Sequence, residues 1–522
     1  MLCSKCQRTL PSDINAGILP PNSPLSHLMT TNDPPDKHQS DIIGDELARS
    51  RANLRSLDGE IAKARNHLLG LQAMRASAQI FVDKLASLHM RRLPTELLVR
   101  VFMLALPYHP SPRLSREAPV VLGKVSRLWR AVSRNTPRLW STIDTEWIYD
   151  EKDRVAVVKW LERSHPCPLT VHAWKLGDNG LWWDMLANIA ARIEHLEIRV
   201  KVNKLAQLFS IDGIQRLDAL QSLHLQVTHH MRNPEFEEIT QIDLGTRAPR
   251  LTNIRVGFKL TLEHLILPSI QITVCNLRLK DITSFTLFLQ EAVNLVDCTV
   301  VVDSFNADVS PRFPVRHTTL EKLSIEVIRH RESDVLGSIL PWLDLPSLRE
   351  FKWGSHGYCD VDPINSTRDP LEWPITIFLN FLSRSGCTLS KLWTDSGPTE
   401  EDILRYLVEV PSVVDLAISP PSHRRPCELM QGLTLGSHSR LGGKDLVPNL
   451  ERLRIRGAWC ECEDMMQAIE SRVSAVGDIS EGRRLKRVSL AYALVHENRL
   501  GNIQERLDKC VREGLLYDSL SW

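Results

Sequence analysis

The spacing of apolar residues changes along the chain and separates it into four parts. Residues 1–40 are rich in Pro, Ser and Asn and have no apolar period, which predicts a disordered tail. A helical period runs through 41–87, a dense apolar stretch follows over 90–141, and a strand period continues over 145–522. The pattern predicts a tail, a long helix, a small helical module and a large repetitive domain.

The predicted long helix has the heptad period of a coiled coil, because its apolar residues recur at alternating intervals of three and four. Ser50 and Arg75 interrupt this seam, and Asp41 is placed to cap the helix start. Two interpretations fit the pattern: the seam of 41–87 joins two copies of the chain as a homodimer, or the helix folds back on its own neighbour. The apolar seam positions are Ile43, Leu47, Leu54, Leu57, Ile61, Ala64, Leu68, Leu71, Ala78, Val82 and Leu85.

The stretch 90–141 carries more apolar side chains than so short a segment can enclose. Pro94 suits the first turn of a helix, and four prolines within 107–119 then predict an extended loop. A second helix is predicted over 120–133. Its inward side chains are expected to be Val125, Leu128, Trp129 and Val132. Exposed apolar surface left over by such a segment marks a binding site for a partner.

From residue 145 onward a short apolar-x-x-apolar-x-apolar pattern recurs at irregular intervals. Alternation over the last residues of each copy predicts a strand, and 167–171 resembles an earlier partial strand. Helical stretches are predicted between strands over 182–192, 374–385, 401–410 and 463–473. The copies begin at Ile193, Leu220, Leu251, Leu262, Val274, Leu295, Leu320, Leu348, Leu389, Val413, Leu450 and Leu485, of which the copy at Leu262 is too close to its neighbours for a full repeat.

One strand–helix unit cannot bury its own apolar face, so neighbouring units must stack with their strands parallel. The Leu and Ile residues of the pattern then form the core. Residues that alternate with them face outward and are candidates for binding another molecule. We predict His224, Arg255, Lys352 and Arg454 as target-binding residues on this ground.

Composition narrows the functional classes. The chain has 522 residues, too many for one core, and its 64 basic residues nearly balance its 63 acidic ones, which predicts no binding to nucleic acid. No apolar run approaches the ~20 residues of a membrane helix, and the N-terminus lacks the pattern of a signal peptide. The 11 scattered cysteines fit reduced thiols. We expect a protein of the cytoplasm and/or nucleus that does not bind membranes.

Catalytic and metal-binding motifs are incomplete in this sequence. Cys3 and Cys6 form a CxxC pair, but a zinc site needs four ligands, and neither His27 nor His38 has a paired spacing. Two exposed thiols are therefore the favoured interpretation. The sequence has no G-x-S-x-G elbow, no G-x-x-x-x-G-K-[ST] loop and no G-x-G-x-x-G motif. We expect no catalysis by this chain, no cofactor and no metal.

The strings LPTELLVRVFMLAL and VSRLWRAVSRNTPRLW in 90–141 resemble the F-box, a three-helix motif. They contain the opening Leu-Pro-x-Glu-Leu of that motif, its first apolar helix, its Val-x-Arg-x-Trp-Arg segment and its closing Leu-Trp. The sequence departs from a compact F-box in its long Pro-rich insertion over 107–119, and Ser126 stands where Cys is common. The matching residues are Leu93, Pro94, Glu96, Leu97, Val101, Phe102, Leu104, Val125, Arg127, Trp129, Arg130, Leu139 and Trp140.

The resemblance implies docking on the adaptor subunit of a cullin–RING ubiquitin ligase, with a target protein held by the repeats for ubiquitination. It implies contact with the adaptor through the matching residues other than Arg127. The strand–helix units resemble the degenerate leucine-rich repeats of the large F-box families of mushroom-forming fungi. In a second interpretation the protein is a scaffold without a ubiquitin role, and the F-box-like helices cap the first repeat.

The expected fold class is α + α/β. It combines a long, coiled-coil-like N-terminal helix, a small three-helix F-box-like module, and a C-terminal irregular leucine-rich-repeat solenoid of parallel strands and helices.

Overall fold

The computed structural model places most of the chain after residue 22. It describes residues 23, 25–29, 31–90, 93–108, 110, 116–145, 151–174, 181–201, 205, 209, 215–228, 241–257, 260–306, 311, 313–328, 335–355, 373–395, 398–419, 428–436, 445–456, 462–473, 484–491 and 500–519. The CxxC pair Cys3 and Cys6 lies outside these residues. The chain divides into two compact units, Met1–Leu98 and Val99–Trp522.

The first unit contains the predicted long helix, α1, which spans Lys37–Met90. It begins inside the segment predicted as a tail, because the cap is Asp36 rather than Asp41. The Asp36 carboxylate accepts a hydrogen bond from the Gln39 backbone N–H at 2.7 Å, and the Gln39 side chain accepts one from the Asp36 N–H at 3.0 Å. This reciprocal pair satisfies N–H groups that the first turn leaves open.

Short helices follow α1 in the order α2 (Thr95–Leu104), α3 (Leu122–Val125) and α4 (Arg127–Arg134), with a 3₁₀ helix at Pro137–Trp140. The single helix predicted over 120–133 is wrong, since Ser126 is extended with φ −155° and ψ 170°. Its hydroxyl accepts a hydrogen bond from the Trp129 backbone N–H at 3.1 Å and so caps α4.

The break at Ser126 also changes which side chains face inward. Val132 is buried as predicted, but Val125 is 59% exposed and Leu128 is 43% exposed. Both were predicted to face inward on a continuous helix. The change of backbone direction between α3 and α4 removes the single helical face that the prediction assumed.

The second unit is built on a sheet of fourteen parallel strands in the order β1-β2-β3-β4-β6-β8-β9-β11-β13-β14-β15-β16-β17-β18. Two small two-stranded sheets, β5–β7 and β10–β12, accompany it. The strands are β1 Thr142–Asp144, β2 Leu169–Ala173, β3 Ile193–Lys201, β4 Ser222–Thr228, β5 Ile242–Asp243, β6 Asn253–Val256, β7 Leu265–Ile266, β8 Val274–Asp281, β9 Asp297–Asn306, β10 Val315–Arg316, β11 Lys322–Val327, β12 Leu343–Asp344, β13 Glu350–Ser355, β14 Lys391–Thr394, β15 Asp415–Ile418, β16 Arg452–Arg456, β17 Arg487–Ala491 and β18 Leu516–Ser519.

Helices lie between many of these strands, although no described α-helix separates β4 from β6, β6 from β8 or β9 from β11. The coarse prediction of a long helix followed by a mixed α/β domain with parallel strands is confirmed. The helices are α5 (Glu151–Ser164), α6 (Leu181–Ile189), Ile282–Glu291, Val335–Ile339, Ile375–Ser385, Glu400–Glu409, Glu428–Leu433, Cys462–Val473 and Leu500–Arg512. Further 3₁₀ turns lie at Ala190–Arg192, Leu262–His264, Ser269–Gln271 and Leu340–Trp342. All four helical stretches predicted between strands are present.

The predicted strand pattern coincides with the large sheet, except at Leu262, where the copy forms a 3₁₀ turn and the two-residue β7. The central apolar position of most copies pairs directly with that of the next strand. In the copy that begins at Val274 the pairing is shifted by two residues, so Cys275 takes this place and the central Leu277 pairs with Val300. Every member of the row before Tyr517 is buried. The row runs through Ile143, Val171, Leu196, Leu223, Ile254, Cys275, Cys298, Leu323, Phe351, Leu392, Leu416, Leu453, Val488 and Tyr517. Side chains alternate between the faces of a sheet, so the residues between these positions face the other way.

Candidate functional site

Two surfaces contain the residues singled out in the sequence. One is the helical segment 93–141, called here the docking segment. The other is the face of the large sheet opposite its buried apolar row, called here the polar face. The docking segment is described first, beginning with the residues of the first unit.

The opening of the docking segment is largely exposed. Leu93 is half-buried, while Pro94, Glu96 and Leu97 are exposed. The Pro94 carbonyl accepts a hydrogen bond from the Leu98 N–H at 3.0 Å, which fixes the first turn of α2. These four predicted docking side chains therefore lie at the start of a formed helix.

The second half of α2 presents some predicted residues and encloses one. Leu104 is 88% exposed and Val101 is also exposed, whereas Phe102 is fully buried. The Phe102 ring packs against the ring of Trp129 on α4, with centroids 4.8 Å apart. Phe102 thus supports the segment from within, whereas Val101 and Leu104 stay exposed to solvent.

Helices α3 and α4 add a second group of exposed side chains. Val125 ends α3, and Leu128 lies in the first turn of α4. The Arg130 Nε–H donates to the Gly123 carbonyl at 2.7 Å and ties the two helices together. Trp129 is half-buried. Arg130 and Trp129, both predicted to bind the adaptor, also hold the local structure.

The closing Leu139 and Trp140 are buried and anchor the docking segment. The Trp140 Nε1–H donates to the Ser133 carbonyl at 2.9 Å, and its ring meets that of Trp160 on α5 edge to face at 4.8 Å. The Arg163 guanidinium lies 4.5 Å from the Trp140 ring centroid. The sequence predicted both residues as partner contacts; the structure places them in the interior.

An open cleft of about 430 Å³ lies between α2 and the turn after α4. Met103 and Leu104 form part of its apolar lining, and Arg100 and Arg138 supply the charged side chains. Val99 and Thr136 complete the lining. The cleft adjoins the most exposed apolar side chain of α2, so this side of the docking segment combines apolar surface with positive charge.

The Pro-rich insertion is described at 107, 108, 110 and 116–119, and residues 109 and 111–115 lie outside the described part. Pro110, Ala118 and Pro119 are buried. The Ser133 hydroxyl donates to the Pro119 carbonyl at 3.4 Å, and the Tyr108 ring lies 5.9 Å from the ring of His172 on β2. Both ends of the insertion therefore pack on their own unit.

The polar face brings the four predicted target-binding residues into one row of paired positions. Successive members are neighbours on adjacent strands, so His224 and Arg255 lie side by side, while Lys352 and Arg454 lie further along. The row contains Asp144, His172, Glu197, His224, Arg255, Asn276, Thr299, Ser324, Lys352, Trp393, Ala417, Arg454, Ser489 and Asp518.

A hydrogen-bonded chain occupies the β2–β4 end of this row. Glu197 lies between two histidines, 2.9 Å from His172 Nδ1 and 3.1 Å from His224 Nδ1. The Arg199 Nε–H donates to the Gln226 side-chain oxygen at 2.8 Å, and the Gln226 amide nitrogen lies 3.2 Å from His224 Nε2. If His224 Nε2 accepts the hydrogen bond from the Gln226 amide, the proton of the neutral imidazole is on Nδ1, which can then donate to Glu197. Burial is the main cause that lowers the pKa of His224, and Glu197 opposes it.

Arg255 differs from the other three predicted residues. Its side chain is exposed, and it has no ion pair or side-chain hydrogen bond within the part of the chain that the structure describes. It contributes instead to the lowered pKa of His224 through like-charge repulsion. Arg255 is therefore the predicted target residue whose charge is most open to a ligand.

Lysines on the polar face are held by carboxylates of neighbouring strands. The Lys352 Nζ lies 2.7 Å from Glu326 on β11. Glu350 on β13 lies between two lysines, 2.6 Å from Lys391 and 3.9 Å from Lys322. Asp297 is the other strand neighbour of Lys322, and Asp415 is the other strand neighbour of Lys391, so acidic and basic residues alternate along this row.

Arg452 and Arg454 on β16 share a single buried carboxylate. Arg452 Nε and Arg454 Nη2 lie 2.9 Å and 3.2 Å from Oδ2 of Asp415 on β15. The Arg454 guanidinium also stacks over the Trp393 ring at 4.6 Å. Because a guanidinium has five N–H donors, most donors of both arginines are left for another acceptor. Their orientation is fixed by a residue that solvent barely reaches.

The acids that orient this face were not singled out from the sequence. They are Glu197, Glu326 and Asp415. On their strands they alternate with the buried apolar residues, as many other polar residues do, so nothing in the local sequence marks them as ion-pair partners. The alternation identified the face. One of the three could have been found from the sequence. Aligning the copies places Glu197 at the same outward position as His224 in the next copy, and Glu197 lies between His172 and His224 in the structure.

The described residues contain no group of three or more His, Cys, Asp or Glu side chains that could hold a metal ion. Cys275 and Cys298 lie with their sulfurs 3.5 Å apart in the buried row, where burial is the main cause that raises the pKa of the Cys275 thiol. Helices that could cross a lipid bilayer are absent from the described part of the chain.

Comparison with known proteins gives no significant match, either to a family model or to a curated protein.

Proposed function

We propose that the protein is an F-box-type substrate receptor. Its docking segment binds the adaptor of a cullin–RING ubiquitin ligase, and the polar face of its leucine-rich repeats binds a target protein. The observation that carries the proposal is the exposure of Val101, Leu104 and Val125 on short helices whose motif order resembles the F-box. Exposed apolar side chains on formed helices are a typical docking surface.

The proposed mechanism is proximity. A receptor that binds the adaptor and the target at once raises the effective concentration of target lysines near the ubiquitin-loaded partner enzyme. The chain itself then needs no nucleophile and no general base. Ubiquitin transfer is performed by the partner enzymes.

The polar face supports a target segment rich in carboxylates or other strong acceptors. Arg452 and Arg454 are oriented by Asp415 and keep donors available, and Arg255 is exposed. A guanidinium group that is already oriented before the target binds can accept a carboxylate in two parallel hydrogen bonds, and it loses little side-chain entropy on binding. We propose that these three arginines contact the target, together with His224 and Lys352 on the same face.

Replacing both residues that open the motif tests the adaptor site. We expect the Leu93→Ala, Pro94→Ala double variant to lose co-purification with the adaptor while its circular dichroism and unfolding midpoint stay unchanged. Leu287→Ala is the matched control, because Leu287 is an exposed leucine on a helix outside the docking segment. Full retention of the adaptor by the double variant contradicts the proposal.

A second candidate function is a scaffold without a ubiquitin role. The observation in its favour is that the docking segment runs directly into β1, the first strand of the sheet, and that Trp140 packs on Trp160. In that case the helices cap the sheet end. The scaffold hypothesis predicts that no adaptor is recovered with the wild-type chain and that deletion of residues 90–141 unfolds the sheet domain.

A further inference from the structure

We propose that α1 forms a parallel, in-register, two-stranded coiled coil with a second copy of this chain. The large seam residues from Leu47 to Leu85 are each between 48% and 59% exposed. An apolar seam that stays open along such a helix is a surface for another helix. Those residues are Leu47, Leu54, Leu57, Ile61, Leu68, Leu71, Val82 and Leu85.

The alternating spacing fixes the heptad position of every residue in α1. Positions a are Leu47, Leu54, Ile61, Leu68, Arg75 and Val82. Positions d are Ile43, Ser50, Leu57, Ala64, Leu71, Ala78 and Leu85. The flanking e and g positions follow from these, and their charges set partner choice and orientation in coiled coils.

The flanking charges of α1 complement a second, parallel copy of the same helix. Glu46 and Glu60 occupy g, while Arg51 and Arg65 occupy the e position of the following heptad. In a parallel, in-register dimer each g residue faces the e residue five positions later on the other chain. Glu46 then meets the partner's Arg51 and Glu60 meets the partner's Arg65, in both directions, and no like charges face each other at e and g.

An antiparallel dimer loses this complementarity. It sets g against g and e against e, so Glu46 and Glu60 no longer face Arg51 and Arg65. In the structure these glutamates form exposed pairs with Arg49 at 2.6 Å and Lys63 at 2.9 Å within α1. Exposed pairs of this kind contribute little and are easily exchanged, so they do not prevent pairing between chains.

Arg75 is the one charged residue in the seam, and it allows the in-register arrangement to be tested. In a parallel, in-register dimer Arg75 faces the same residue of the other chain. Its long aliphatic stem can pack in the seam while the guanidinium reaches water, at a cost in stability. Polar residues at a are known to fix register in this way. Removing this charge should therefore strengthen the dimer.

The seam is long enough for a stable interface. From Ile43 to Leu85 it spans about 63 Å at the helical rise of ~1.5 Å per residue. Two helices in contact over that length bury more than the ~1,000 Å² that a specific interface needs. A dimer presents two polar faces and two docking segments in one molecule, so its binding to a target with repeated sites gains from multivalency.

Multi-angle light scattering of the full chain tests the dimer. We expect a mass about twice the 59.4 kDa of one chain. The Leu54→Asp, Leu68→Asp double variant should give the single-chain mass, while its circular dichroism keeps the strand signal. A monomeric wild type at micromolar concentration overturns the proposal, and so does a dimer that survives the double variant.

Charge reversal tests the pairing. One chain carries Glu46→Arg and Glu60→Arg, and the other carries Arg51→Glu and Arg65→Glu. Each variant alone places like charges opposite each other, so its dimer should dissociate at a higher protein concentration than the wild-type dimer. An equimolar mixture restores opposite charges and should recover the dimer. Two variants that dimerise as well alone as mixed contradict the assigned pairs.

Cysteine cross-linking tests the orientation. We expect Leu47→Cys and Leu85→Cys chains each to form cross-links with themselves under mild oxidation, and a mixture to give no 47–85 cross-link. Wild type under the same oxidation is the control for the native cysteines. In an antiparallel dimer position a faces position d of the other chain, so a 47–85 cross-link without the same-site products shows an antiparallel dimer and overturns the proposal. Arg75→Leu should raise the unfolding temperature of the dimer, and a lower value contradicts the in-register contact.

Discussion

At the residue scale, Arg472 is the largest fully buried side chain among the described residues. Its guanidinium donates to the carbonyls of Leu433 at 2.7 Å, Val447 at 3.0 Å and Leu446 at 2.8 Å. Burial lowers its pKa to about 10, so it stays charged at neutral pH. One side chain thus satisfies three carbonyls of irregular backbone that helices and strands leave unpaired.

We predict that Arg472→Ala lowers the free energy of unfolding by about 3 kcal/mol or more, because it leaves buried carbonyls without donors. Arg472→Lys should recover part of the loss, since one ammonium cannot reach three separated oxygens equally. Denaturant unfolding followed by circular dichroism measures this. The exposed Arg405→Ala is the control and should change little, and an equally small change for Arg472→Ala would refute the structural role.

The histidine chain on the polar face makes a pH-dependent prediction. The pKa of His224 is lowered below 6.5 in the folded chain by burial, with Glu197 opposing and Arg255 and Arg199 adding to the effect. The unfolded chain therefore binds more protons in mild acid. The stability present above about pH 6.5 is lost as the pH falls through the folded pKa.

We expect His224→Gln to reduce the loss of stability between neutral pH and mild acid relative to wild type. Unfolding midpoints measured across that range test this. His195→Gln on the same face is the matched control, since His195 is exposed on the neighbouring strand. An unchanged pH profile for His224→Gln contradicts the assignment.

At the scale of elements, the strands were the most predictable part of the fold. The copies beginning at Ile193 and Leu485, and all but one between them, lie on strands of the large sheet, because a buried face imposes a period of two that no helix shares. The copy at Leu262 has the same letters but no room for a full repeat. β1 and β18 were missed since their segments lack a complete copy of the pattern.

The helix break at Ser126 was less predictable. The apolar positions from Leu122 to Val132 fit one helix, and only the capping ability of Ser126 indicates two. The same difficulty affected the start of α1, where Asp36 and Asp41 are both capable caps. The reciprocal bond with Gln39 decides between them. The position of a helix start depends on a local hydrogen bond from the capping residue, and the spacing of apolar residues does not predict that bond.

We predict that Ser126→Ala destabilises the docking segment by about 1 kcal/mol, the usual cost of losing an N-cap acceptor. Hydrogen exchange of α4 amides measures the effect locally and should show faster exchange of the Trp129 N–H. Ser126→Asp retains an acceptor and is the control. Equal protection in Ser126→Ala and wild type would show that the cap contributes nothing.

At the scale of the whole molecule, the sheet explains why the proposed target site was only partly predictable. Alternation placed His224, Arg255, Lys352 and Arg454 on one face, and the sheet register places them in one row. The carboxylates that fix three of the four come from other strands, and their identity depends on pairings across 25 or more residues. Aligning the copies places Glu197 opposite His224, but Glu326 and Asp415 lie two residues away from the register partners of Lys352 and Arg454. The pattern along the chain does not show these diagonal contacts.

In the docking segment the sequence motif was predictable and the exposure of its residues was not. The order of its motif was readable in the sequence, but only the structure separates the exposed members of the predicted contact set from the buried ones. Val101, Leu104 and Val125 are exposed, whereas Phe102 and Trp140 hold the segment together. We therefore expect two different outcomes of substitution: loss of adaptor binding with the fold kept in the first group, and loss of the fold in the second.

The most direct measurement of the central proposal is co-purification of the full-length chain with the adaptor of a cullin–RING ligase, with stoichiometry determined by mass spectrometry of the intact complex. The account predicts one adaptor bound to each wild-type chain. It predicts none bound to a folded Val101→Asp, Val125→Asp variant. Failure of the wild-type chain to retain the adaptor, or equal retention by both proteins, would contradict it.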